Sequence, residues 1–319
     1  MEKIFKLDEE DEYYVPFSRL AENLDLQNLI EKLTVNLLRL AVTELPADVK
    51  KALKDAYRKE RNPIGKIQLK AILENIQLAE EERIPICQDT GLISFYVKVG
   101  SEFRDLSKIE EALIKGVKRA TVEIPLRPNA VNPFTQRNTN NNIGRYVPCI
   151  HWSIIDGDYL EITAFPKGGG SENMCALRIL KPAEGLSGLK RFVIESVVDA
   201  GGMPCPPTII GVGVGGTSDM AMNLAKKALL RPINKSHSDP IIAELERDLL
   251  RAVNSTGVGP MGLGGDSTAL ALKIEYAHRH PASYPVAIAF QCWAARRATA
   301  RVYSDGRVEC LSHKDRSLL

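Results

Sequence analysis

The 319-residue sequence is short of net charge, of uninterrupted apolar runs and of closely spaced cysteine pairs, and each lack removes a class of function. A formal charge of +2 gives no strong field for nucleic acid or a lipid surface, so neither is expected as a partner. The longest uncharged stretch, Ala200 to Ser218, approaches the length of a membrane span. It is broken by glycine and proline and does not read as one apolar helix. The opening MEKIFKLDEEDEYY is acidic with no apolar core, which is unlike a secretory signal, so a cytoplasmic location and reduced thiols are expected. No C-x-x-C pair occurs, which removes zinc ribbons and thioredoxin-like redox motifs. No Walker A sequence and no helical His-x-x-x-His spacing occur either, which argues against a P-loop nucleotidase and a zinc hydrolase. Internal repeats and low-complexity linkers are absent.

What is present is the composition of a soluble globular protein, 44% hydrophobic and 26% charged. Apolar residues recur at helical spacing between Leu24 and Leu45, at Leu26, Leu29, Ile30, Leu33, Leu37 and Leu40. Ile64 to Ala79 continues in that style. The pattern changes near Ile84, where PICQDTG leads into a β-branched strand, Ile93 to Val99. Asp156-Gly157 and Asp305-Gly306 each lie between strand-like runs and predict hairpins. Ser218 to Leu230 and Ile241 to Val253 predict helices, the second opened by Asp239 as cap and Pro240 as first residue. The expected class is α+β: a helical N-terminal segment, then mixed, hairpin-containing sheets packed with helices.

Five glycine-rich or polar turns adjoin strands: residues 87–91, 127–130, 167–173, 211–219 and 262–268. Such turns present backbone N–H groups and form anion-binding nests, so together they predict a site for a small anion. Each taken alone is as readily a tight turn. The run Gly211 to Gly216 also satisfies G-x-G-x-x-G, which keeps a nicotinamide-dependent dehydrogenase as an alternative. Against it, a second helix, not a strand, follows the first. Of six cysteines, Cys87, Cys205 and Cys292 each lie at the edge of a strand-like run beside a turn. Three dispersed thiolates suit an iron–sulfur cluster with one iron left open. Spacing alone does not select these three, and structural cysteine is the commoner outcome.

The segments PICQDTG, LRPNAVNPFTQRNTNNNIG, FPKGGGSEN, CPPTIIGVGVGGTSD, GPMGLGGDSTAL and RHPASYPVAIAFQCW resemble, in this order, the α subunit of class I iron–sulfur fumarases and L-tartrate dehydratases. The likeness covers residues 25–319, and residues 1–24 read as a variable extension. The resemblance implies a [4Fe–4S] cluster on Cys87, Cys205 and Cys292. It implies a dicarboxylate bound by Gln88, Arg127, Gly169 and Gly170, and catalytic parts for Asp89 and His280. It also implies a β subunit that completes the site, hence a hetero-oligomer. RPNAV and GGGSEN are similar to the fumarase versions, so fumarate hydration is expected, with L-tartrate as the alternative substrate.

Overall fold

The structure is a computed structural model that describes residues 25–103, 106–313, 316, 318 and 319; the expected extension, residues 1–24, lies outside the described residues. Three helices come first: α1 (Leu26–Thr43), α2 (Ala47–Lys59) and α3 (Pro63–Glu82). The Asp25 carboxylate accepts the Asn28 N–H and starts α1. The expected apolar stripe is its core face, with Ile30, Leu33 and Leu37 fully buried. Asn62 caps α3 through Ile64 and Gly65, and Pro63 occupies the first turn, where no N–H is needed.

β1 (Leu92–Gly100), α4 (Ile109–Glu123), β2 (Cys149–Ile155) and β3 (Tyr159–Lys167) follow. With β8 (Ala298–Tyr303) and β9 (Val308–Cys310), the strands make a sheet of order β2-β1-β3-β8-β9. One face of this sheet buries Phe95, Val97, Leu160, Ile162 and Ala300 against α1 and α4. The short α5 (Gly169–Asn173), β4 (Ala176–Leu180), α6 (Gly185–Ala200) and β5 (Thr208–Val214) come next. Then follow α7 (Ser218–Ala228), α8 (Pro240–Asn254), β6 (Ala269–Tyr276) and β7 (Tyr284–Gln291). The second sheet has order β4-β7-β5-β6. It is covered on one face by α6 and α8 and on the other by α7 with α2 and α3. The α+β class is thus as expected, and the Asp239 cap with Pro240 opens α8. No helix of the described residues is long and apolar enough to cross a membrane.

The Asp305-Gly306 hairpin forms, joining antiparallel β8 and β9 with Gly306 at φ +85°. Asp156-Gly157 does not make a hairpin. β2 pairs in parallel with β1, and β3 pairs antiparallel with β1 on its other side. The link from β2 to β3 therefore steps over the end of β1. A methyl at Gly100 would stand 2.3 Å from the Gly157 carbonyl oxygen, so the crossing leaves room only for hydrogen there. α2, α4 and α6 were not anticipated from the apolar pattern. α2 buries only Val49 and Leu53 among its hydrophobic residues, so its stripe is too thin to read.

Candidate active site

Three loops meet where the ends of the two sheets approach each other. The first runs from α3 into β1 and carries Cys87, Gln88 and Asp89. The backbone of Ile86 pins it, donating to the Val42 carbonyl at 2.8 Å and accepting from Asn75 Nδ2 at 3.0 Å. Cys87 Sγ accepts the Asp89 N–H at 3.4 Å. The second loop precedes β5 and carries Cys205 at φ +54°, a left-handed conformation that costs a non-glycine residue about 1–2 kcal/mol. The third follows β7 and carries Cys292. β5 and β7 pair antiparallel with Ile209 opposite Gln291, and this register sets Cys205 and Cys292 at the same end of the sheet. The Trp293 N–H donates to the Cys205 carbonyl at 3.1 Å and locks the two loops together.

The Cys205 and Cys292 thiols both sense neighbours at this rim. Burial pushes the Cys205 thiol up, and Cys87 and Asp89 add to the shift. Burial pushes the Cys292 thiol up as well; the Arg296 guanidinium opposes this, while Cys205 and Cys87 reinforce it. Thiols of this kind stay protonated until something binds them as thiolates. Among the described residues no three His, Cys, Asp or Glu side chains converge as the ligands of one ion do. Thiols that approach without touching fit a polynuclear centre, in which each sulfur serves a different iron. The adjoining buried groups fit a polar occupant too: both amide atoms of Gln291 and Nε of Arg296 have no hydrogen-bond partner.

Asp89 is the knot of the rim. Oδ1 accepts the Gly91 N–H at 2.8 Å and Asn129 Nδ2 at 2.8 Å, and Oδ2 accepts the Gly169 N–H at 2.8 Å. Its carbonyl accepts Nη1 of the buried Arg296 at 2.6 Å. One residue thereby ties together the loops at 87–91, 127–129 and 168–169. Arg127, beside Asn129, is exposed, and no carboxylate of the described residues pairs with it. Gln88 is exposed next to Cys87. Gly170 is exposed, and a methyl there would stand 3.1 Å from the Met203 carbonyl oxygen in the Cys205 loop. Cys87, Gln88, Asp89, Arg127, Gly169, Gly170, Cys205 and Cys292 thus gather at one rim.

His280 does not. It is exposed in the turn before β7, at the opposite end of that strand from Cys292, roughly 25 Å away at strand rise. Its Nδ1 accepts the Ala282 N–H of the same turn at 3.2 Å.

Three of the glycine-rich turns already serve an anion, and it is the chain's own. Gly91 and Gly169 serve Asp89. The buried Glu60 carboxylate accepts the N–H groups of Asp266 and Ser267 in the 262–268 turn, at 2.9 and 3.0 Å to its nearer oxygens. The Gly211 to Gly216 run is not a phosphate loop. Gly211 and Gly213 lie inside β5, where a methyl would stand 2.0 Å from the Ala225 carbonyl oxygen and 1.9 Å from that of Ala221. Their role is close packing of α7. Asn129 and Arg296 were not singled out beforehand, because only the fold shows that both converge on Asp89. A further, half-buried ion cluster lies behind the GGGSEN segment: Glu172 bridges Lys167 at 2.9 Å and Lys226 at 2.5 Å. Cys175 sits 3.9 Å from Lys167 Nζ in this ion cluster.

An α+β scaffold whose loops gather three thiols, a fixed carboxylate and an arginine without a carboxylate partner among the described residues is the scaffold of an enzyme. The chain belongs to the fumarate hydratase (Fumerase) family of hydro-lyases, whose family model matches residues 31–301. It is 50% identical over 284 residues to the putative L(+)-tartrate dehydratase subunit alpha of Methanocaldococcus jannaschii, covering 88% of this chain and 99% of that one. It is 40% identical over 287 residues to the L(+)-tartrate dehydratase subunit alpha of Escherichia coli, covering 90% and 95%, and the Shigella sonnei protein matches equally.

Proposed function

We propose that this chain is the α subunit of a two-subunit, cytoplasmic [4Fe–4S] hydro-lyase that interconverts fumarate and L-malate. The observation that carries the reading is the meeting of Cys87, Cys205 and Cys292 beside Asp89 in a member of the fumarate hydratase family. These three cysteines would hold the cluster, which when bound supplies a Lewis-acidic iron to weaken the bond to the departing hydroxyl.

The chain's own residues bind and orient the substrate. Arg127 grips one substrate carboxylate through its planar guanidinium, which no carboxylate of the described residues pairs with. Gln88 and the Gly170 N–H orient the substrate's oxygens. The Gly169 N–H works indirectly, since Asp89 already uses it. Asp89 keeps the loops in register and presents a negative charge that tunes the proton-transfer group brought by the β subunit. His280 acts as proton donor only where a second chain delivers it, because in its own chain it stands a strand's length away.

L-tartrate is the second reading, favoured by the names of the relatives. RPNAV and GGGSEN support fumarate. Anaerobic turnover of fumarate, L-malate and L-tartrate, with and without the co-expressed β subunit after iron and sulfide reconstitution, tests the proposal. Fumarate–malate activity that needs both chains and dies in air is expected. Activity on tartrate alone overturns the substrate, and absence of bound iron overturns the cluster.

A further inference from the structure

Arg296 is among the largest side chains in the core at 1% exposure. A guanidinium stays charged in a protein, and leaving such a charge buried without a counter-ion is strongly unfavourable. Its neighbour Arg297 has one: Asp48 Oδ2 lies 2.7 Å from Arg297 Nη2, both side chains buried. Arg296 has none among the described residues. Nη1 donates to a carbonyl, that of Asp89, and Nε donates to nothing. The guanidinium lies next to the glycine run, since a methyl at Gly168 would stand in van der Waals contact with Nη2 at 3.5 Å. The Asp89 carboxylate nearby is already committed to Gly91, Asn129 and Gly169. The thiols lie against the same backbone: the residue whose carbonyl Arg296 holds donates its N–H to Cys87 Sγ at 3.4 Å, and the charge of Arg296 also reaches Cys292.

We infer that Arg296 is the internal counter-charge of the three-cysteine centre, a permanent cation that neutralises the thiolates once they hold a cluster and thereby sets its reduction potential. This rests on the cluster reading above. Three thiolates outweigh the charge of a doubly positive cluster core, so the assembly is a net anion, and the charge around such a centre is one of the levers on its potential. The same cation disfavours loss of an electron, the step that makes an exposed cluster fragile in air. Arg296 is therefore a positioning and electrostatic residue with no substrate contact.

The test compares wild type, Arg296→Gln, Arg296→Lys and Arg301→Gln, each co-expressed with the β subunit and reconstituted anaerobically. Arg301 serves as control because it pairs with Glu161 on the first sheet, away from the thiols. Readouts are iron content, the cluster's midpoint potential by redox titration followed by electron paramagnetic resonance, and the rate of bleaching in air. At a fixed poise Arg296→Gln should hold at least tenfold less reduced cluster than wild type, about 59 mV for a one-electron couple, and should bleach several-fold faster. Arg296→Lys should stay within threefold of wild type, and Arg301→Gln should match it. An unchanged potential and bleaching rate in Arg296→Gln overturn the inference while leaving the cluster reading intact. A lysine variant that shifts as far as the glutamine variant overturns the charge as cause. If Arg296→Gln does not accumulate as folded protein, the lysine variant decides alone by the same threefold criterion. A wild type that takes up no iron overturns the cluster reading, and this inference falls with it.

Discussion

At one end of β7, Arg279 lies exposed in a turn and donates to the carbonyls of His280, Pro281 and Ser283, at 3.0–3.2 Å. At the other end, Arg296 lies buried with one carbonyl acceptor, beside a glutamine with none. The same residue type is thus satisfied by its own turn in one place and left waiting in the other. Water can serve any group at the first end, so its side chains are interchangeable as far as folding goes. At the second end each unmatched polar group costs stability, and the fold keeps it there because something other than folding uses it.

The largest effect that would break this contrast is loss of a thiol. Cys205→Ser or Cys292→Ser should abolish bound iron and turnover in the reconstituted two-chain enzyme, measured by iron assay and fumarate absorbance. A serine variant with full iron would return these cysteines to the status of core residues. Next comes Asp89→Ala, which strips the acceptor from Gly91, Gly169 and Asn129 together. It should lower the unfolding free energy of the apo chain by about 3 kcal/mol in a urea titration, since hydrogen bonds to a charged group contribute more than neutral ones.

A smaller effect is expected behind the rim, and it depends on pH. Burial would raise the Glu172 carboxyl, but Lys167 and Lys226 outweigh burial and hold it below its ordinary 4.5. The folded value is depressed, so the ion cluster stabilises the protein above pH 4.5 and the contribution disappears as pH falls through the lower folded value. Glu172→Gln should therefore lower thermal stability at pH 7 and make it less sensitive to acid below pH 4.5 than wild type. The smallest effect belongs to the open end of β7. His280→Asn should change stability by no more than about 0.5 kcal/mol in the same urea titration. If it nevertheless removes turnover, mixing it with an inactive Cys205→Ser enzyme should restore activity only where one chain lends His280 to another.

The helices with broad apolar stripes and explicit caps, α1, α3 and α8, were legible because each side chain's environment is set by its own neighbours in sequence. α2 was not, because a charged helix with two buried hydrophobic residues looks like solvent-facing chain. The Asp156-Gly157 link shows a different limit. Its composition is that of a hairpin, but which strand lies beside β2 is decided by the pairing of β1 and not by the turn. The candidate site divides in the same way. The residue types at the rim were readable from motifs, whereas the distance between them was not. His280 is near Cys292 in sequence and far in space; Cys87 and Asp89 are far from Arg296 in sequence and in contact with its surroundings. Glycine-rich turns were read as open to an outside anion, and Glu60 and Asp89 turned out to occupy the N–H groups of three of them.

The knot at Asp89 has a consequence for biosynthesis. Its contacts reach 40 residues on to Asn129, 80 to Gly169 and 207 to Arg296. Contacts of such separation close late, after the loops between them have been ordered. On the ribosome, Asp89 and its neighbouring thiol emerge long before Arg296 does. The rim is then an incomplete half-shell for most of translation, with the Cys87 thiol not yet covered by the later loops. On the proposed reading, cluster insertion is accordingly a post-translational event, timed by the arrival of β7 and the residues that follow it.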